Sequence, residues 1–210
     1  MGRTSSRETV HLTVSLIALT IAFSYPYITP RAMVIAAFGV GAGFIFHELA
    51  HKFTARRYGY AADYEASPIG LLLAFGISFI TGGAFIFAAP GAVMIRGRYV
   101  DYSQFGDRYL DSLKSAREFS YISVSGAVVN LILAASFFVA LYFVAYSGLS
   151  HEVLNELLIR GTFINVILAG FNMIPFGPLD GAKVLRYNPA LWGMVGIPSI
   201  ILLLLLMGLI

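Results

Sequence analysis

The stretch FHELAH, residues 46–51, sets two histidines four residues apart with a glutamate beside the first. On a helix, positions four apart share one face about a turn from each other, so His47 and His51 can grip one metal ion. Glu48 then lies within reach of a water on that metal. This is the residue pattern of a zinc hydrolase. Two neutral imidazoles hold zinc, zinc lowers the pKa of its water towards about 7, and the carboxylate takes the proton as water attacks a carbonyl.

A catalytic zinc usually takes a third protein ligand and leaves one position open. The chain has no cysteine, so thiolate ligands, disulfides, iron–sulfur clusters and a cysteine nucleophile are all excluded. His11, His151 and the carboxylates remain. Asp180 stands out because it falls in FNMIPFGPLDGAK, at the end of an apolar run where Pro175, Gly177 and Pro178 break a helix. His11 and His151 read more simply as polar residues near the membrane interface.

The elements that must carry these residues are membrane helices. Residues 34–53, VIAAFGVGAGFIFHELAHKF, read as a spanning segment apart from the motif itself. A charged residue at the centre of such a helix costs about 2.5–3.5 kcal/mol on insertion scales. A structural zinc site contributes about 10–16 kcal/mol, enough to offset several buried polar groups. Composition agrees: 58% of the 210 residues are hydrophobic and only 12% are charged, against about 25% charged in soluble domains. A net charge of +3, with no basic run or RNA-binding signature, is too small to imply a nucleic-acid partner and fits basic inner loops.

Five segments are apolar and long enough to span: 10–28, 32–55, 119–146, 157–174 and 191–210. Arg3 and Arg7 ahead of the first resemble a signal peptide, but no small-x-small cleavage site follows, so the segment is expected to stay as a helix. Residues 68–95 are interrupted by Gly70, Gly76, Gly82, Gly83, Pro90 and Gly91, a punctuation that suggests turns and short strands. If 68–95 dips in and returns, the inner side collects Arg3, Arg7, Lys52, Arg56, Arg57, Arg96, Arg98, Arg108, Lys114, Arg117, Lys183 and Arg186, leaving Arg31 and Arg160 outside. If it spans, every later loop inverts. The positive-inside rule therefore favours a re-entrant segment, and that parity brings Asp180 to the face where His47 and His51 lie. Gly39, Gly41 and Gly43 are expected at close helix contacts, and Trp192 at the interface.

HELAH in a membrane helix, followed by NMIPFGPLDG with Asn172, Pro175, Pro178, Leu179, Asp180 and Gly181, resembles the site-2 protease family of intramembrane zinc metalloproteases. A Gly-x-x-x-Asn element on the intervening helix matches Gly126 and Asn130, although Ala127 stands where the family often has proline. The resemblance covers about residues 30–190. It implies one zinc per chain on His47, His51 and Asp180, Glu48 as general base, and Asn130 and Asn172 as contacts to substrate backbone or an oxyanion. It also implies short membrane-associated strands after the HELAH helix, where residues 84–95 offer an edge to an extended substrate.

The expectation is thus an all-α polytopic membrane protein of five to six transmembrane helices, with a re-entrant or membrane-associated β segment. One domain, 1–210, carries a catalytic core of about 30–190 between flanking helices 10–28 and 191–210. Its expected work is hydrolysis of a peptide bond in or beside a transmembrane segment of a membrane-protein substrate. A prokaryotic cytoplasmic membrane is the expected location, with the active site towards the cytoplasm. The alternatives are an ion or proton-coupled transporter, against which the lack of internal repeats speaks, and a non-proteolytic metal-binding membrane protein, which does not need Glu48.

Overall fold

The computed structural model describes residues 5–98, 108–149 and 151–209. Arg3 and residues 99–107 lie outside the described residues, as do the side chains of Arg98 and Arg108. The chain opens with α1 (Ser6–Ser24), capped by Ser5, whose side chain accepts from Glu8 N. Then come α2 (Pro30–Val40), a π-helical turn (Gly41–Ile45) and α3 (Phe46–Arg57), which together form one 28-residue rod. The strands β1 (Tyr60–Ala66) and β2 (Gly91–Arg98) flank α4 (Pro68–Ile80). The long α5 (Arg108–Tyr146), α6 (Glu152–Asn172), the short α7 (Asp180–Tyr187) and α8 (Pro189–Leu206) complete the fold.

Three helices share one starting device. Thr29-Pro30, Ser67-Pro68 and Asn188-Pro189 each place a side-chain oxygen on a free N–H of the first turn and a proline where no N–H is needed. Four helical stretches among the described residues are long and apolar enough to cross a membrane: Pro30–Arg57, Lys114–Tyr146, Glu152–Asn172 and Pro189–Leu206. The expected first span lies in α1, which has 19 residues but falls outside this set. Its Glu8, Ser15, Thr20 and Ser24 point inward and are buried.

The molecule is apolar outside and partly polar inside. Ile132, Phe138, Val139, Tyr142 and Phe143 stand exposed on α5, while Asn130, Asn165 and Ser15 have no exposure at all. That inversion is what lipid requires, since hydrocarbon outside makes no demand for polar surface. Gly39 and Gly43 let the π-turn region lie against α6: a Cβ on either would stand 2.6 Å from Ile164 or Leu168. Gly41 differs from expectation, with open space around it.

The segment between the strands also departs from the sequence reading. Its first half is the regular helix α4, where turns and strands were expected, and at 13 residues it is about 20 Å long, short of a hydrocarbon core of about 30 Å. Gly70 does not break it. That glycine lies against the returning chain, where a Cβ would meet Ala89 O at 2.5 Å. β1 and β2 pair antiparallel, with Ala66 opposite Gly91, and Ser67 N donates to Pro90 O at 2.9 Å. The ends of the 68–90 excursion therefore meet. Its far turn, at Gly83, rests on the Tyr25 carbonyl at the end of α1.

Candidate metal centre

The helical spacing of HELAH does what it predicts: His47 and His51 lie on one face of α3, with their Nε2 atoms 3.0 Å apart. Asp180 arrives from the first turn of α7, its Oδ2 at 2.9 Å from His51 Nε2 and 3.4 Å from His47 Nε2. The ligand atoms of the three residues all lie within 4.8 Å of one another, and the side chains are buried. The chain between α6 and α7 makes this approach through Gly177, which takes a left-handed φ of +59°. Gly181 completes it, because a Cβ there would run into the carbonyl of Met173 at the end of α6.

The outer nitrogens of the imidazoles are both held. His51 Nδ1 lies 2.7 Å from the carbonyl of Ile122, which can only accept, so that nitrogen carries the proton. His47 Nδ1 lies 2.5 Å from Asn130 Oδ1, and the Asn130 amide nitrogen donates to Gly43 O and Asn165 Oδ1. The proton again belongs on Nδ1. Both Nε2 lone pairs then point at each other and at a carboxylate, three acceptors without a donor among them. Such a set calls for a cation, and two imidazoles with one carboxylate suit zinc.

The surroundings fit a metal ion further. Gly126 of α5 faces the imidazoles, and a Cβ there would stand 2.6 Å from His47 Cε1, His47 Nε2 and His51 Nε2. Glu48 Oε2 is buried and has no hydrogen-bond partner among the described residues. Lys183 Nζ holds the other Asp180 oxygen, Oδ1, at 2.9 Å and leaves Oδ2 to the histidines. Burial pushes the Asp180 carboxyl up, yet positive charge on its neighbours, Lys183 among them, brings it well below the usual carboxylate range. Its surroundings thus favour positive charge beside it.

His47, Glu48, His51 and Asp180 open onto a cavity of about 700 Å³ that residues 87–89 and 91–95, Asn172 and Lys183 also line. Asn172 uses its amide nitrogen on Leu168 O at 2.9 Å. Asn130 is fully buried behind His47, off this wall. His11 and His151 stand apart from the centre. His11 Nδ1 accepts from Ala66 N, and His151 precedes α6. Sequence reasoning passed over two residues at the site. Lys183 follows Asp180 by one helical turn, a spacing that signals contact, whereas the part of Ile122, a backbone carbonyl, leaves no trace in residue type.

A second buried charge cluster lies one residue along α3. Lys52 pairs with Glu8 of α1, whose Oε1 also accepts from Tyr64 N, and Asp63 Oδ1 stands 3.7 Å from Lys52 Nζ. Ser15 and the Tyr64 hydroxyl meet at 2.8 Å beside it, and burial, then the charge of Glu48, raises the tyrosine's pKa. These bonds fasten α1 along one edge of β1.

Residues 35–157 match peptidase family M50, a stretch that includes His47, Glu48, His51 and Asn130 and stops before Asp180. A curated protein of Methanocaldococcus jannaschii named "Putative zinc metalloprotease" is 39% identical over 198 residues, which cover 94% of this chain and 93% of that protein. No solved structure matches the chain.

Proposed function

The chain belongs to peptidase family M50, the site-2 protease family, and from that premise we propose that this zinc metalloprotease cuts a peptide bond within or next to a transmembrane segment of a membrane-protein substrate. The observation that carries the reading is the acceptor-only convergence of His47, His51 and Asp180 beside the unpartnered oxygen of Glu48, inside a helical bundle with an apolar exterior. His47, His51 and Asp180 would hold zinc, which would supply a Lewis acid and a water acidic enough to act near neutral pH. Glu48 Oε2 would take a proton from the attacking water and deliver it to the leaving amine. Its unsatisfied oxygen is what such a base needs and what a purely structural site lacks. Asn172 lines the same cavity, which supports its donating to substrate backbone or to a carbonyl oxygen gaining charge.

A helix must unwind before its backbone can reach these groups, and its freed N–H and C=O groups then need partners in a dry site. β2 meets that need. β1 covers one of its edges, and its residues 91–95 line the same cavity as His47, His51 and Asp180, which supports an extended substrate adding there. The meeting of Ser67 with Pro90 supports the excursion leaving and returning on one face, and the basic residues near β2 and α7 favour the cytoplasmic face. Family membership and the named relative favour the protease over the transporter and over a metal-binding protein without activity.

The test is cleavage, in detergent, of a panel of fluorescently labelled single-span proteins by the purified chain. Cutting that maps in or beside the span, stops with a zinc chelator and returns with zinc is the expected result. Cutting that ignores the chelator, or a zinc-loaded chain that leaves every span intact and cuts only soluble peptides, contradicts the reading.

A further inference from the structure

Asn130 is the most thoroughly engaged polar side chain behind the centre. It has no exposure, and each of its amide groups is spoken for: Oδ1 faces His47 Nδ1 at 2.5 Å, while Nδ2 donates to Gly43 O at 3.1 Å and Asn165 Oδ1 at 2.9 Å. The amide orientation is fixed by its partners, since Gly43 O can only accept and must face the nitrogen. Asn165, also without exposure, is anchored in turn through Nδ2 to Gly161 O of α6 at 2.8 Å. A continuous chain of hydrogen bonds thus runs from the backbone of α6, through two asparagines, to the outer nitrogen of His47.

Gly43 shows that this chain is built in. A Cβ at that position would meet Leu168 Cδ1 at 2.6 Å and Asn165 Oδ1 at 3.1 Å, so a side chain there would have to displace Leu168 and press on the asparagine. Gly43 also belongs to the π-helical turn that precedes α3. Asn130 therefore grips the rod at two points one turn apart, the carbonyl of Gly43 and the ring of His47. Such a clamp sets both the rotation of the imidazole and which nitrogen carries its proton.

We propose that Asn130, held by Asn165 and Gly43, is a positioning residue: it fixes His47 as the Nδ1–H tautomer with its Nε2 lone pair directed at the metal, and does not touch substrate. This reading rests on the zinc-site assignment made above and replaces the expected substrate contact of Asn130. A hydrogen bond to the outer nitrogen of a ligating histidine orients the ring and raises its basicity, and losing it commonly costs about 10–100-fold in metal affinity.

The experiment measures zinc affinity of the full-length chain in detergent by competition with a chelator, together with the absorption spectrum of the cobalt-loaded protein. The proteins compared are wild type, Asn130→Leu, Asn130→Asp, Asn165→Ala and, as a control, His47→Ala. Asn130→Leu is expected to weaken zinc by about 10–100-fold and to shift the cobalt spectrum. Asn130→Asp, which keeps an oxygen on His47 Nδ1 but gives up the donor to Gly43 O and Asn165 Oδ1, recovers part of that loss. Asn165→Ala, which only loosens Asn130, moves affinity in the same direction by less, and it serves where Asn130→Leu does not fold. Wild-type zinc affinity in Asn130→Leu with a raised KM makes Asn130 a substrate contact and overturns the proposal. Equal losses in the Leu and Asp variants, without a spectral shift, reduce it to packing and overturn it as well. If His47→Ala binds zinc like wild type, the metal-centre assignment itself fails; if it does not, a failure of the Asn130 variants concerns the positioning role alone.

Discussion

Two buried charge clusters sit one residue apart on α3, and they are built to opposite rules. Lys52, Glu8 and the N–H of Tyr64 form a closed set, in which a cation meets an anion and the remaining carboxylate capacity is taken by backbone. His51 and His47, with Asp180, form an open one, with three acceptors facing inward and Glu48 Oε2 left over. Burial is the same in both, with Lys52, Glu8, His47, Glu48, His51 and Asp180 all 3–8% exposed. What separates a fastening from a reaction centre is therefore whether the polar groups satisfy each other, and the open cluster is the one that calls for a ligand from outside.

The largest effect that tests this contrast comes from removing a ligand. Asp180→Ala should lower zinc affinity by at least about 100-fold and abolish cleavage, since it takes away one of the three proposed protein ligands. Unchanged zinc content by elemental analysis would remove Asp180 from the site.

Breaking the closed cluster should act on the fold instead. Lys52→Met leaves Glu8 charged and buried, at a cost of about 3–5 kcal/mol. The unfolding midpoint in denaturant should drop, while the folded fraction still binds zinc. Combining it with Glu8→Gln should cost less than the two single losses added together. A Lys52→Met protein of normal stability that fails to bind zinc would mean the two clusters are one.

Glycines offer the finest discrimination. Gly126→Ala pushes a methyl against both imidazoles and should weaken zinc by a smaller factor than loss of a ligand. Gly41→Ala, only six residues before His47 but in open space, should leave zinc binding unchanged and shift stability by about 1 kcal/mol or less. Chelator titration of both proteins distinguishes close packing at the centre from mere proximity in sequence.

The open cluster was legible in the sequence and the closed one was not, for a physical reason. His47, Glu48, His51 and Asp180 are residue types that a membrane helix excludes unless something compensates them, so their presence was itself a signal. Lys52 read as one more basic residue of an inner loop, and Glu8, 44 positions away, carried no motif pointing to it. Pairing across that distance depends on how α1 lies against β1, which periodicity does not encode. The glycines of 68–95 were misleading in the same way. Gly70 marks a close approach of two chain segments, not a helix break, and Ser67-Pro68 was the stronger local signal for the start of α4. Asn130 was found through its motif, but residue type alone did not tell a substrate contact from a ligand's support.

The central claim is that the leftover oxygen of Glu48 does chemistry on a centre other residues assemble. Glu48→Gln tests it most directly, because glutamine has nearly the same shape but cannot take a proton from water near neutral pH. Wild type and variant would be compared for zinc content and for cleavage of the same labelled single-span substrate in detergent. The account predicts equal zinc, about one per chain, and cleavage reduced by at least about 100-fold in the variant. Cleavage near the wild-type rate with zinc in place would contradict it.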